Sequence, residues 1–127
     1  MPELKLYRCT HCGNIVVKLH DSKVKVVCCG EPMQELVPNT VDAAQEKHVP
    51  VATPAGSSIT ITVGAVEHPM LEEHHIEFIL LQTTAGWQVK YLAVGDKPQA
   101  TFALAEGEKA LAAFEYCNLH GLWTAAI

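Results

Sequence analysis

The sequence lacks the features that direct a chain to a membrane or to nucleic acid. Its apolar runs are far shorter than the roughly 20 residues needed to cross a bilayer. No stripe of basic residues marks a nucleic-acid surface, and the net charge is -5. The start, Met1 to Lys5, is charged and has no apolar segment of the signal-peptide kind. We therefore expect a cytoplasmic protein that binds neither membranes nor nucleic acid.

Length and composition suit a small module attached to a medium-sized domain. The chain has 127 residues, 49% of them hydrophobic, so it can bury a core. Residues 1–36 contain too little apolar surface to fold without a staple such as a metal ion. Residues 37–57 hold three prolines and little periodicity, and are predicted to be a connector. Residues 58–127 are predicted to form the main domain, and the connector is counted as part of that domain.

Short alternating segments predict an all-β fold. Ser58–Val63 alternates strictly between polar and apolar residues, and 76–81, 88–92 and 101–104 are further strand candidates. Ala110–Tyr116 is ambiguous, because its Ala and Leu residues favour a helix while Phe114 and Tyr116 alternate around Glu115. Such strands, separated by glycine and proline, indicate an antiparallel sandwich. Shorter strand candidates at 4–8, 14–19 and 23–27 indicate a small β-module before it.

Four of the five cysteines lie within the first 29 residues and predict a metal site. Cys9 and Cys12 are separated by two residues, a spacing at which one tight turn directs both sulfurs to one ion. Cys28 and Cys29 are adjacent, so both can bind only if the chain turns sharply there, as Gly30 and Pro32 allow. Four thiolates suit iron or zinc, and a structural zinc ribbon remains an alternative on this module alone.

A second group of ligands follows the first module. Cys117 and His120 are three residues apart, and His48, His68 and His74 supply further imidazoles. One thiolate with several imidazoles suits a redox-active transition metal. Blue copper would need a weak axial ligand, usually methionine, and no methionine follows Cys117. An iron centre with four histidines and one thiolate uses the available residues better.

Taken together, these motifs resemble desulfoferrodoxin, the two-iron superoxide reductase family. The resemblance covers nearly the whole chain in the family's order and spacing. The motifs that carry it are Cys9-x-x-Cys12, Cys28-Cys29, Glu46-Lys47-His48-Val49-Pro50, His68-Pro69-Met70, His74-x-Ile76-Glu77 and Cys117-Asn118-x-His120-Gly121.

The resemblance implies a fold and two iron sites. The fold is a desulforedoxin-like module followed by an immunoglobulin-like antiparallel β-sandwich, assembled as a homodimer. The first iron would be held by Cys9, Cys12, Cys28 and Cys29. The second would be held by His48, His68, His74 and His120 in a plane, with Cys117 axial.

It also implies an activity, the one-electron reduction of superoxide to hydrogen peroxide without dismutation. Glu46 would occupy the sixth position of the oxidised iron and Lys47 would assist superoxide. A small electron-donor protein such as rubredoxin would supply electrons. Two positions depart from the family pattern: His75 stands where tyrosine is common and Phe78 where tryptophan is frequent. The spacing from His68 favours His74 over His75 as the ligand.

Two other functions remain open from the sequence. A non-catalytic iron electron-transfer protein would use coordinatively saturated sites. A zinc-ribbon binding module would explain the first four cysteines but would leave the histidines and Cys117 without a role.

Overall fold

The computed structural model describes residues 3–127, which form β-strands joined by turns and one short helix. The strands are β1 Leu6–Arg8, β2 Ile15–Val17, β3 Val27–Cys28, β4 Glu31–Pro32, β5 Gln34–Leu36, β6 Pro50–Ala55, β7 Ser58–Val63, β8 Ile76–Thr83, β9 Gly86–Tyr91, β10 Gln99–Ala103, β11 Ala110–Cys117 and β12 Gly121–Ala126; the helix is α1 Gln45–His48. The chain divides into a small unit ending at Val37 and a larger unit, Pro38–Ile127.

The small unit consists of a three-stranded sheet and a hairpin. The sheet has the order β2-β1-β5, and both neighbours of β1 run antiparallel to it. The hairpin pairs β3 with β4. Strands this short bury little surface, as expected for a unit that depends on a bound ion.

The larger unit is an immunoglobulin-like antiparallel β-sandwich, as predicted. One sheet has the order β10-β7-β6 and the other β12-β11-β8-β9. The core between them contains Ile59, Ile61 and Val63 of β7, and it also takes side chains from β8, β10 and β11. The alternation in Ser58–Val63 therefore reflects one face directed into this core.

The ambiguous segment, 110–116, lies in strand β11. It pairs with β8 on one side and β12 on the other. Glu115 is fully buried in this strand, whereas its neighbour Phe114 belongs to the opposite face. Because β11 is central in its sheet, pairing on both sides outweighs the helical preference of its alanines.

Several elements were not predicted from the sequence. Strand β6 lies within the segment that we expected to be a connector. It was not predicted because Pro50 and Pro54 are unusual in a strand. It forms an edge of its sheet, where a missing N–H donor is tolerated. Strand β12 was also missed, because its Ala-rich end resembles neither element clearly. Within residues 3–127, no helix is long and apolar enough to cross a membrane.

Candidate metal centres

The four cysteines of the small unit converge on one point. The sulfur atoms of all four residues lie within 4.8 Å of one another; these residues are Cys9, Cys12, Cys28 and Cys29. The sulfurs of Cys12 and Cys28 are 3.6 Å apart, and those of Cys28 and Cys29 are 4.0 Å apart. A tetrahedral thiolate site for iron or zinc requires such a cluster.

Two turns produce this arrangement. After Cys12, Gly13 adopts a φ of 84° and its N–H donates to the carbonyl of Cys9. In the β3–β4 hairpin, Cys29 and Gly30 form a two-residue turn with φ values of 53° and 79°. Positive φ at both positions is the type I′ pattern, and it turns Cys29 to the side of Cys28. This is the distorted turn expected from the adjacent cysteines.

The pKa values of two of these thiols shift in opposite directions, so the neighbouring sulfurs do not ionise equally easily. Hydrogen bonding from the backbone N–H of Cys12 lowers the pKa of Cys9 to about 6. Contact with the Cys12 thiol raises the pKa of Cys29 to about 12. Four sulfurs at this separation cannot all ionise together unless a cation balances them, so the site favours a bound metal ion.

His11 lies beside this cluster but outside it. Its Nε2 is 3.0 Å from a carboxylate oxygen of Glu31, and both side chains are more than half exposed. His11 therefore fits a spacer in the turn and not a fifth ligand.

The second cluster lies at one end of the sandwich, where separate segments meet. His48 ends helix α1, Cys117 ends strand β11, and His120 stands in the turn before β12. His68 and His74 lie in the segment between β7 and β8. Ligand atoms of His48, His74, Cys117 and His120 all lie within 4.8 Å of one another.

His68 belongs to the same cluster. Its Nε2 lies 3.5 Å from the sulfur of Cys117. Its ring centroid is 4.7 Å from that of His48 and 4.6 Å from that of His74. The structure therefore brings together all five residues that the sequence proposed for the second site.

Two of these imidazoles approach the sulfur of Cys117 in different orientations. Nδ1 of His68 donates to the carbonyl of Pro69 at 2.7 Å, which leaves the Nε2 lone pair facing the sulfur of Cys117. His120 instead directs Nδ1 toward Cys117, at 3.9 Å from the sulfur. The two rings thus present different nitrogens to one centre.

His74 and His75 have different environments. Nε2 of His74 is buried and has no hydrogen-bond partner among residues 3–127. His75 uses Nδ1 to donate to the carbonyls of Leu71 and Glu72 in its own turn. An unpartnered buried nitrogen is costly unless an ion binds it, so His74 fits a ligand and His75 fits a residue that stabilises the turn.

Burial keeps the imidazoles in their metal-binding form. Desolvation, followed by the neighbouring histidines, lowers the pKa of His48 to about 4. Desolvation also lowers the pKa of His68 to about 4 and reduces that of His74. The rings are therefore neutral at physiological pH, as metal binding requires. Burial raises the pKa of Cys117, although N–H groups of Leu119 and His120 oppose this, so thiolate formation is coupled to metal binding.

Two buried side chains contact His48, and sequence reasoning assigned neither a role. Trp123 stacks on its ring with centroids 5.0 Å apart and donates through Nε1 to the carbonyl of His120. Glu115 is fully buried, with Oε1 3.7 Å from Nδ1 of His48, and burial raises its pKa to about 9. The only sequence signal was an acidic residue between two aromatic residues in a strand.

Glu46 and Lys47 lie on helix α1 immediately before His48, and both are exposed. The Glu46 carbonyl accepts a hydrogen bond from the N–H of Val66. The helix is therefore tied to the segment after β7, and Lys47 is held next to a residue of the cluster.

Two family models match nearly the whole chain. The model for the desulfoferrodoxin N-terminal domain matches residues 2–36, and the desulfoferrodoxin model matches residues 40–126. The desulfoferrodoxin of Syntrophotalea carbinolica is 49% identical over 122 residues, which cover 96% of this chain and 95% of that protein. The desulfoferrodoxin of Nitratidesulfovibrio vulgaris is 46% identical, covering 97% of this chain and 96% of that protein.

Solved structures share the fold. The superoxide reductase from Treponema pallidum superposes with a TM-score of 0.84 at 37% identity, covering 98% of this chain and 99% of that one. The one-iron superoxide reductase from Giardia intestinalis superposes with a TM-score of 0.56 at 35% identity. That match covers 65% of this chain and 97% of the other.

The donor sets and the family matches together support iron at both clusters. The cofactor prediction is confirmed: one iron site has four cysteines, and the other combines histidines with Cys117. The all-β fold class is confirmed by the same matches and by the structure. The chain belongs to the desulfoferrodoxin family.

Proposed function

We propose that the protein is a superoxide reductase. It reduces superoxide to hydrogen peroxide with one electron and two protons, without dismutation. The observation that carries this proposal is the buried cluster of four imidazoles and one thiolate at the end of the sandwich. The superoxide reductase from Treponema pallidum supports it, because its match covers 98% of this chain and so includes the cluster.

In this proposal the second iron is bound by His48, His68, His74, His120 and Cys117. The buried, unpartnered Nε2 of His74 supports its assignment, as does the Nε2 of His68 facing the Cys117 sulfur. Cys9, Cys12, Cys28 and Cys29 bind the first iron. When bound, ferrous iron at the histidine–cysteine site supplies the electron that superoxide accepts.

The protein residues around the site orient the ligands and exclude water. Trp123 covers one face of the His48 ring and fixes the carbonyl of His120. Backbone N–H groups of Leu119 and His120 donate to the Cys117 sulfur and stabilise its thiolate form. These contacts hold the donor atoms in place before the substrate arrives, so little reorganisation accompanies the reaction.

Lys47 and Glu46 act on the substrate side. Superoxide is an anion, and the chain carries a net charge of -5, so a local cation is needed to attract it. In this proposal Lys47 supplies that cation beside His48, and Glu46 would bind the iron once it is oxidised. Support comes from their exposed positions on helix α1, which is anchored by the Val66–Glu46 hydrogen bond.

The product yield tests the proposed function. With an electron donor in excess, a reductase forms one peroxide per superoxide consumed, whereas dismutation forms one peroxide per two. We expect the first ratio for the two-iron protein. Cys117→Ser is the control, because it removes the sulfur donor while the four-cysteine site stays intact. A yield of one peroxide per two superoxide molecules would refute reductase activity.

We also propose a division of labour, with a boundary after residue 36. Residues 1–36 bind the first iron and receive electrons from a small donor protein such as rubredoxin. Residues 58–127, together with the segment 37–57, reduce superoxide. The family matches at 2–36 and 40–126 support this division. Cys12 and Cys29 are exposed, and so is Val27, which precedes Cys28. Because a donor protein can reach these residues, they support electron entry at the first site.

A homodimer is proposed through the outer face of the four-stranded sheet. Phe78 pairs with Tyr91 and Leu80 with Val89 across β8 and β9, so these side chains share one face. Tyr91 is 80% exposed and Val89 47% exposed in the single chain. A second copy would cover this apolar strip. Sedimentation equilibrium of Tyr91→Asp against the unchanged protein tests it, and an equal mass for both would refute this interface.

A cytoplasmic location is the proposal that suits the cysteines. All five are free thiols in the structure, and two of them are exposed. Such thiols remain available as metal ligands in a reducing compartment, whereas an oxidising one favours disulfides.

A further inference from the structure

The side chain of Asn118 links the end of strand β11 to the segment that carries His74. Its Oδ1 accepts from the N–H of His75 at 2.9 Å. Its Nδ2 donates to the carbonyl of Glu73 at 3.1 Å. Its backbone N–H donates to the carbonyl of His75 at 3.2 Å. One residue thus hydrogen-bonds the chain on both sides of His74.

The side chain of Asn118 replaces strand pairing that ends here. The β8–β11 ladder shifts register between Tyr116 and Cys117, and its last pair is Cys117 with Ile76. Residues 73–75 precede β8 and lie beyond this ladder. An asparagine amide offers one acceptor and two donors in one plane, so it can satisfy an N–H and a carbonyl together.

The turn containing His74 is closed by its own backbone. The N–H of His74 donates to the carbonyl of Leu71, and the N–H of Leu71 donates to the carbonyl of His74. This turn fixes its internal shape but does not fix its position relative to Cys117. The bonds from Asn118 supply that position, because Asn118 is the next residue after Cys117.

We propose that Asn118 is a positioning residue that fixes the distance between His74 and Cys117 at the second iron. It touches neither iron nor superoxide in this role. The inference rests on the proposal that His74 binds the iron. It predicts that loss of the Asn118 amide weakens iron binding only through His74.

The test measures retention of the second iron by the full-length two-iron protein against a competing chelator. The sulfur-to-iron charge-transfer absorbance of Cys117 reports the second site, and the four-sulfur absorbance reports the first. Outer contacts of this kind change metal affinity by about 10- to 100-fold. We expect Asn118→Ala to lower the affinity of the second site within that range and to leave the first spectrum unchanged.

Asn118→Asp is the conservative variant. It keeps an oxygen that accepts from the N–H of His75 but loses the donor to the carbonyl of Glu73. We expect an affinity between those of the unchanged protein and Asn118→Ala. This variant preserves side-chain size, so it tests the inference even if Asn118→Ala folds poorly.

A double variant separates positioning from a general loss of structure. His74→Ala alone should lower affinity, and adding Asn118→Ala should then change it by less than twofold. The inference is overturned if the two losses multiply, or if Asn118→Ala alone retains iron like the unchanged protein. Unchanged affinity in His74→Ala would overturn both the ligand assignment and the inference, while the peroxide yield would still report the activity separately.

Discussion

A Cβ atom at Gly64 would lie 2.7 Å from the carbonyl oxygen of Glu46. The same atom would be 2.9 Å from the carbonyl carbon of Lys47 and 3.1 Å from the backbone nitrogen of His48. These are backbone atoms, which cannot move aside as a flexible side chain can. The absence of a side chain at Gly64 therefore allows helix α1 to pack against the segment after β7.

Gly64→Ala should consequently displace Lys47 and His48. Overpacking costs about 1–3 kcal/mol in a well-packed site. We expect a lower melting temperature for the sandwich, weaker binding of the second iron and slower reduction of superoxide. Thermal unfolding and metal analysis of the purified protein measure these effects.

The matched control for this prediction is Val66→Ala. It removes an exposed side chain but keeps the backbone N–H that donates to Glu46. It should retain iron and activity. If Gly64→Ala behaves like this control, the close approach at Gly64 has no functional importance.

The two adjacent histidines should give opposite results on substitution. His74→Ala removes a buried nitrogen that has no hydrogen-bond partner among the described residues, so the second iron should be lost or bound much more weakly. His75→Ala removes only bonds to carbonyls of its own turn and should retain iron. Metal analysis of both variants decides which histidine binds the second iron. Iron loss confined to His75→Ala would show that His75 is the ligand and His74 is not.

The two iron sites should be spectroscopically separable, because their ligand sets share no residue. Cys12→Ser should bleach the four-sulfur absorbance and leave the reaction of the pre-reduced second iron with superoxide largely intact. Cys117→Ser should remove the charge-transfer band of the second site and sharply reduce activity. Visible spectra and metal content of both variants provide the measurement. Loss of both signals in either variant, or zinc in both sites, would contradict two independent iron sites.

Lys47→Ala should slow the second-order reaction with superoxide by about tenfold or more, within the range of electrostatic steering. The slowing should shrink as salt rises, because the Debye length falls to about 10 Å at 0.1 M. Iron content should not change, since Lys47 is not a proposed ligand. Pulse radiolysis at several salt concentrations measures the rates.

Lys109→Ala is the matched control for the loss of one positive charge. Its backbone N–H donates to the hydroxyl of Thr84, and Thr84 follows the end of β8 that is farthest from Cys117. Lys109 therefore lies away from the second site. It should leave the rate almost unchanged. Equal slowing in both variants would show that net charge, and not the position of Lys47, controls the encounter.

The parts of each site that are close in sequence were predictable. Cys9 with Cys12, and Cys117 with His120, are joined by single turns, so spacing alone indicates a shared ion. His48, His68 and His74 come from separate segments, so their residue type alone suggested a shared iron with Cys117, and the family resemblance then specified each of them as a ligand.

The supporting contacts could not be read from the sequence. Trp123 over His48, Glu115 beneath it and Gly64 against Glu46 each depend on how strands pair across the sandwich. No periodicity in the chain encodes these neighbours. Strand β6 was missed for a related reason, because its prolines are acceptable only at a sheet edge.

The placement of ligands along the chain has a consequence for the order in which the protein matures. The four ligands of the first site lie within residues 9–29, inside the small unit that ends at Val37, so this site can form as a local unit. The second needs residues from 48 to 120, so its donors meet only after the distant strands of the sandwich have paired. Contacts between distant segments form slowly, because loop closure must be completed first. The first iron can therefore be loaded on a growing chain, whereas the second must wait for the nearly complete protein.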